Sequence, residues 1–244
     1  MKIAIIGTGI AGLSVAHQLH TQHELTLFEA NHYVGGHSNT VDVNENGNII
    51  PIDTGFIVMN DLTYPNFNKI LNALDIDTYN SEMSFSARCE SSQFEWCGNG
   101  ITGLVFNSDN WKKISAYKML VDIINFNRLA NRAIQPDSPM SSQQTLGEFL
   151  FLHKFSQAFI DYYILPMGAA IWSSSVVDIN DYPALSFLNF FKNHGLLSIT
   201  NQPQWKTIQG GSREYVKKLT QPFKNQIRLN CAIEKIQRHD NSVT

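Results

Sequence analysis

Residues Lys2 to Gly36, KIAIIGTGIAGLSVAHQLHTQHELTLFEANHYVGG, limit what this chain can fold into more than any other stretch. Ile3-Ala4-Ile5-Ile6 reads as a short apolar strand, and Gly7-x-Gly9-x-x-Gly12 as a tight turn into a helix with Leu13, Ala16 and Leu19 on one face. Leu25-Thr26-Leu27-Phe28 is a second strand, and Glu29 follows it. Strand, helix and strand at this spacing open a doubly wound α/β sheet.

The turn has a chemistry of its own. Gly7 permits the sharp reversal, Gly9 has no Cβ to keep the backbone away from a pyrophosphate, and Gly12 lets the helix lie close to the sheet. Ile10 and Ala11 place N–H groups at the helix start, where anions bind. Glu29 follows Gly12 by 29 minus 12, or 17, positions, so its carboxylate stands where ribose hydroxyls donate; it would also repel a 2′-phosphate, which argues against NADP. A lone GxGxxG is weak evidence, and glycines that serve only a turn are the competing reading. The strand before, the helix face after and the acid at the strand end are the context that weighs against it.

A second glycine pair follows in Glu29-x5-Gly35-Gly36-His37-x-x-Thr40, and then Ile52-Asp53-Thr54-Gly55-Phe56. On these residues the chain resembles the start of the FAD-dependent amine oxidase, protoporphyrinogen oxidase and phytoene desaturase superfamily. The likeness continues through Tyr64-Pro65-Asn66, Leu165 to Ser173, Asn193 to Leu197, Pro203-Gln204-Trp205 and Gly210 to Val216, and is similar to a bacterial branch of flavoprotein dehydrogenases. The resemblance implies that Gly35 and Gly36 lie against the FAD pyrophosphate and ribityl chain, and that Thr54, Gly55 and Phe56 run beside the isoalloxazine ring. It also implies that a backbone group at Ile233, on a strand returning around residues 227 to 236, meets the adenine. Many members carry Arg after the glycine pair, whereas this chain has His37, whose charge depends on its surroundings. Gly210 and Gly211 either let the chain pass close to the flavin or form a turn before a helix over 213 to 220.

Such a protein is expected to be an FAD-dependent oxidoreductase that moves a hydride from an amine or an apolar, unsaturated substrate to flavin N5. That chemistry needs no nucleophile, and no catalytic acid or base is assigned. Residues 237 to 244 read as a hairpin turn into a new strand, and relatives of this kind run well over a hundred residues further, so the chain reads as C-terminally truncated. A noncatalytic nucleotide-binding remnant that needs a partner or the missing half is therefore the alternative. An NAD-dependent reductase is a third reading, but it leaves Gly35-Gly36 and Asp53-Thr54-Gly55 unexplained.

The fold expected is α/β: a Rossmann-like FAD-binding domain built on a parallel sheet, with an inserted, mostly helical α+β substrate domain. The boundaries are 1 to 80 for the first part of the FAD domain, 81 to 204 for the substrate domain, and 205 to 244 for the incomplete second part. Within the insert, Met83 to Cys89 and Gln93 to Cys97 read as two strands joined at Glu90-Ser91-Ser92. A helix over 111 to 133 carries Ile114, Tyr117, Val121, Ile124 and Arg128 on one stripe, Thr145-x-x-Glu148 is a capping box, and Asp181 with Pro183 opens a helix that Gly195 closes.

Aromatic residues crowd this region, among them Phe149, Phe151, Phe155, Phe159, Phe187, Phe190 and Phe191. They line an apolar substrate cavity or build the core, and Trp172 and Trp205, in motif loops, are the pocket candidates. His17, His20 and His23 match no standard metal site and read as solvated.

With 244 residues, 43% of them hydrophobic, the chain can bury a sizeable core. A net charge of −3 with 18 Lys plus Arg and no long basic run excludes an electrostatic footprint for nucleic acid, leaving a small molecule as the expected partner. The start is not read as a signal peptide, because its glycines fall at dinucleotide spacing. No apolar run of about twenty residues spans a bilayer. Cys89, Cys97 and Cys231 form no C-x-x-C pair, and cytoplasmic residence is expected.

Overall fold

A short apolar run followed by a glycine turn and a period-3.6 face give what the opening stretch requires: β1 (Lys2–Ile6), α1 (Ile10–Leu19) and β2 (Glu24–Phe28). The computed structural model describes residues 1–98, 103, 108–198, 203–240 and 242–244. After β2 come β3 (Thr40–Glu45), β4 (Asn48–Asp53), β5 (Met59–Asn60), α2 (Pro65–Ala73), β6 (Thr78–Ser81), β7 (Ser86–Cys89), β8 (Phe94–Cys97) and α3 (Ile114–Ala133). These are followed by α4 (Leu146–Leu152), α5 (Leu165–Trp172), α6 (Val176–Asn180), α7 (Ala184–Asn193), β9 (Trp205–Ile208), α8 (Arg213–Thr220) and β10 (Ile227–Arg228). They form two compact units, Met1–Glu82 with Gln204–Thr244, and Met83–Pro203.

The first unit is the Rossmann-like α/β part. β1 pairs in parallel with β2 from Lys2↔Glu24 to Ile6↔Phe28, and β10 joins the other edge of β2 at Ile227↔Leu27 and Arg228↔Phe28. The order is β1-β2-β10, so among the described residues β1 is paired on one side only. Leu13 and Ala16 of α1 are fully buried against Ile5, Leu25 and Leu27, and Tyr215, Val216 and Leu219 of α8 join the same core.

β3 and β4 form a hairpin from Thr40↔Asp53 to Glu45↔Asn48. It turns at Asn46 and Gly47, both at positive φ, which is the Asn-Gly signal of a two-residue hairpin. A third sheet, β5-β9-β6, is antiparallel and brings the returning chain at Trp205–Ile208 onto Thr78–Ser81.

The returning strand is shorter than the sequence suggests. Regular pairing ends at Arg228, because Asn230 takes a left-handed φ of 52° and turns the chain out of the ladder. Beyond the coil that follows, Gln237 and Thr244 exchange backbone bonds of 2.6 and 2.9 Å, which is the hairpin expected there; Asn241 lies outside the described residues.

In the second unit β7 and β8 pair antiparallel around the Glu90-Ser91-Ser92 turn, and helices supply the rest. The capping box is present in full: Thr145 Oγ1 accepts from Glu148 N at 3.2 Å, and Thr145 N donates to Glu148 Oε2 at 3.0 Å. α7 starts after Pro183, and Gly195 lies just past its end at φ +72°.

α3 is a helix of twenty residues, as the stripe indicates, and a different stripe faces the core. Ile114, Val121 and Ile124 are 57 to 74% exposed, whereas Ala116, Met119, Ile123, Phe126 and Ala130 face the core. Both sets satisfy the helical period. Phe126 decides between them, because its ring meets those of Phe149, Phe155, Phe159 and Phe191 at 5.4 to 6.3 Å.

Candidate nucleotide-binding site

Everything the opening motif brings together lies in the first unit. Glu29, just past β2, is 6% exposed. Its Oε2 accepts from Thr8 N at 2.9 Å and Thr8 Oγ1 at 2.5 Å, and its Oε1 accepts from Asn31 N at 2.9 Å. Burial alone would raise the carboxyl pKa; the bonds from Thr8 and Asn31 outweigh burial and hold it below the ordinary value. Glu29 is therefore an ionised acceptor, and Oε1, with one bond made, keeps a lone pair for a hydroxyl.

Gly9 is the N-cap of α1, no side chain caps that end, and the first turn holds no acid. The N–H groups of Ile10 and Ala11 consequently have no intrahelical partner and stand at the positive end of the helix dipole. A Cβ on Gly7 or Gly9 would meet nothing within 4 Å, whereas one on Gly12 would lie 2.1 Å from Gly7 O. Gly12 is packed shut, and the space over Gly9 is open.

The second glycine pair closes on the first. Gly35 N donates to Thr8 O at 3.1 Å, and a Cβ on Gly36 would lie 3.0 Å from Gly9 Cα. Gly36 also needs φ +60°, so both space and conformation select glycine.

Thr54 to Phe56 run alongside this loop. Thr54 N donates to Asn39 O at 2.9 Å and Phe56 N to His37 O at 2.7 Å, while a Cβ on Gly55 would lie 2.4 Å from His37 O. Thr54, Gly55 and the His37 side chain are exposed, and His37 contributes its carbonyl to this pairing. The Phe56 ring packs edge-on against Phe67 at 5.2 Å.

Asp53 ties this run to the returning chain. It accepts from Ser212 N at 3.0 Å, Ser212 Oγ at 2.8 Å and Thr40 Oγ1 at 2.5 Å. Ser38 Oγ and Tyr215 OH are 2.6 Å apart, and Arg213 Nη1 bonds Asp42 Oδ2 at 2.7 Å. Gly210 and Gly211 form the turn before α8. Gly211, at φ +89°, lies where a Cβ would come 2.5 Å from Thr40 Cγ2, so the close approach it permits is to β3.

Other expected site residues stand elsewhere. Ile233 is 38% exposed in coil beyond β10, so it is not a buried strand residue; the chain nears Glu29 earlier, where Cys231 N donates to Glu29 O at 2.8 Å. Trp205 is a buried residue of β9 in the first unit. Trp172 ends α5 in the second unit, with its ring 4.6 to 5.2 Å from those of Tyr182, Phe187 and Phe190. Neither is in a loop. Phe149, Phe155, Phe159, Phe187 and Phe191 are core, and Phe151 is 86% exposed.

His17, His20 and His23 are half-buried rather than solvated: the His20 ring lies tilted against that of Phe223 at 5.7 Å, and its Nδ1 lies 2.7 Å from His17 O. Among the described residues no group of three or more His, Cys, Asp or Glu is placed to hold a metal ion. No described helix is long and apolar enough to cross a membrane.

Sequence reading missed Thr8 and Ser212. Thr8 fills a motif position open to any residue, and the only clue was a hydroxyl just past the first strand and an acid just past the second. Ser212 is 159 positions from Asp53, beyond any local pattern.

Two interlocked glycine turns, an uncapped helix start and a buried ionised acid are the local features of a Rossmann-like nucleotide-binding fold. Residues 10–244 match the model of the flavin containing amine oxidoreductases. The chain belongs to that family, whose cofactor, FAD, suits this cradle: open space over Gly9, free N–H groups and an acceptor with a lone pair to spare. Among solved structures it is similar to cyclohexylamine oxidase from Brevibacterium oxydans IH-35A, with a TM-score of 0.71 and 16% identity over 99% of this chain and 53% of that one. It is also similar to a fatty acid isomerase from P. acnes that produces CLA, with a TM-score of 0.64 and 18% identity over 98% of this chain and 54% of that one. A 4,4'-diapophytoene desaturase from Staphylococcus aureus is 52% identical over 40 residues, 16% of this chain and 8% of the desaturase. The chain thus spans about half the length of those solved structures and a smaller share of the desaturase.

Proposed function

We propose that the chain binds FAD through Gly7, Gly9, Ile10, Ala11, Gly12, Glu29, Gly35 and Gly36 and serves as the nucleotide-holding part of an oxidoreductase. The observation that carries this reading is the contact of Gly36 with Gly9, which stacks two glycine turns beside the start of α1. First-turn N–H groups of Ile10 and Ala11 receive the pyrophosphate, Glu29 accepts from the adenosine ribose, and Thr54 to Phe56 face the flavin end. Bound oxidised FAD supplies a hydride acceptor at N5. The protein's own share is to orient the cofactor and present a substrate, an amine or an apolar unsaturated compound. Trp172 remains a candidate for contact with the substrate, as do Ile233 for the adenine and His37 for the phosphates. The cytoplasm is the proposed compartment.

A second reading is compatible with β1, whose far edge is unpaired among the described residues although the first strand of a doubly wound sheet is ordinarily internal. On it, this chain holds FAD without turnover until further polypeptide completes the sheet.

The test is the purified chain itself. A flavin absorption spectrum, or saturable quenching of FAD fluorescence on titration, is expected; colourless protein that binds no added FAD refutes the reading. Turnover by this chain alone removes the second reading, and tighter binding of NAD than of FAD supports a reductase instead.

A further inference from the structure

We propose that Thr8 is a positioning residue that sets Glu29 for the adenosine ribose of FAD. The position lies between the first two glycines, where the dinucleotide pattern accepts any residue, yet Thr8 is completely buried. Its three polar groups are all committed. Its N–H and hydroxyl both donate to Glu29 Oε2, at 2.9 and 2.5 Å, and its carbonyl accepts from Gly35 N at 3.1 Å. One residue therefore joins the first glycine turn, the acid after β2 and the second glycine pair.

The consequence for Glu29 is geometric. Two donors on Oε2 and the Asn31 N–H on Oε1 fix the plane of the carboxylate before any ligand arrives. Oε2 is saturated, so the remaining acceptor capacity is on Oε1. Without the Thr8 hydroxyl the buried Oε2 loses one of its two donors, and the carboxylate is free to turn or to take up a proton. Valine keeps the shape and the N–H of threonine and removes only the hydroxyl; serine keeps the hydroxyl.

The inference rests on the reading of Glu29 as the ribose acceptor, so its test separates the two. Dissociation constants for ADP and for 2′,3′-dideoxy-ADP, which lacks both ribose hydroxyls, are measured by calorimetry for the wild-type chain, Thr8→Ser, Thr8→Val and Glu29→Gln. FAD is titrated in parallel, and far-UV circular dichroism confirms folding. The wild-type chain and Thr8→Ser are expected to prefer ADP by about tenfold, the worth of one charge-assisted hydrogen bond. Thr8→Val and Glu29→Gln are expected to reduce that preference below about twofold while leaving the affinity for the dideoxy compound unchanged. Should Thr8→Val fail to fold, Thr8→Ala replaces it with the same expectation. A preference in Thr8→Val equal to wild type overturns the proposal, and so does an equal loss of affinity for both nucleotides, which marks a merely structural role. If the wild-type chain binds FAD but shows no preference that Glu29→Gln removes, the ribose reading of Glu29 fails with it. If it binds no nucleotide, the whole functional reading falls.

Discussion

Gly9 and Gly12 stand three positions apart and are glycine for opposite reasons. At Gly9 the backbone is extended, φ −70° and ψ 176°, and no protein atom lies within 4 Å of the place a Cβ would occupy. Valine there is expected to leave the thermal midpoint nearly unchanged, within about 0.5 kcal/mol of stability, and to abolish FAD binding by filling the space over the turn. At Gly12 a Cβ would lie 2.1 Å from Gly7 O, so Gly12→Ala is expected to cost about 1 to 3 kcal/mol in denaturant unfolding through the forced shift of α1 from β1. Glu29 adds a pH signature. Its folded pKa lies below 4.5, so its contribution to stability is complete above that value and is lost as pH falls through the folded pKa. The thermal midpoint of wild type should exceed that of Glu29→Gln by a constant margin from pH 7 to about 5, and the margin should shrink as pH falls below 4.5 and through the folded pKa. A margin that does not change anywhere between pH 7 and full acid unfolding contradicts the assignment of Glu29 as an ionised buried acceptor.

Among the elements, α3 makes the sharpest test of packing. Phe126 is 1% exposed amid four other rings, and Phe126→Ala is expected to destabilise the chain by about 3 to 5 kcal/mol. Val121, 57% exposed on the other stripe, should tolerate alanine within about 0.5 kcal/mol in the same denaturant series. The reverse result would put the stripe of Val121, not that of Phe126, in the core. That α3 was legible as a helix but not in its orientation has a simple cause. Period tells which residues share a face, while the rings waiting on Phe149, Phe155, Phe159 and Phe191, far away in sequence, tell which face is wanted. β10 illustrates the same limit: apolar alternation through Cys231-Ala232-Ile233 suggests a strand, but one left-handed residue, Asn230, ends it. The glycine motifs and the Thr145 capping box were readable because their chemistry is local, set by residues within a few positions of one another. The Asn46-Gly47 hairpin was equally local and was overlooked.

At the scale of the whole molecule, the two units carry different cores, mostly aliphatic in the first and rich in aromatic rings in the second. The proposed FAD contacts lie in Met1–Glu82 with Gln204–Thr244, and the aromatic core of Phe126 and Phe187 lies in Met83–Pro203. Saturating FAD, at a hundred times its dissociation constant, should stabilise the unit that binds it by about 2.7 kcal/mol. Amide hydrogen exchange should accordingly slow in β1, α1, β2 and the loop over Gly35 and Gly36. Slowing confined to 83–203 would place the cofactor elsewhere. The bond from Ser212 to Asp53 carries a further consequence, one of order in time. A chain that leaves the ribosome at about 5 to 20 residues per second presents both glycine turns roughly 10 to 35 seconds before Ser212 and β10 exist. During that interval the insert, continuous in sequence, is free to fold first, while the nucleotide cradle waits as an open half with its acid already in place. A cofactor present during synthesis would meet the cradle before its own latch does.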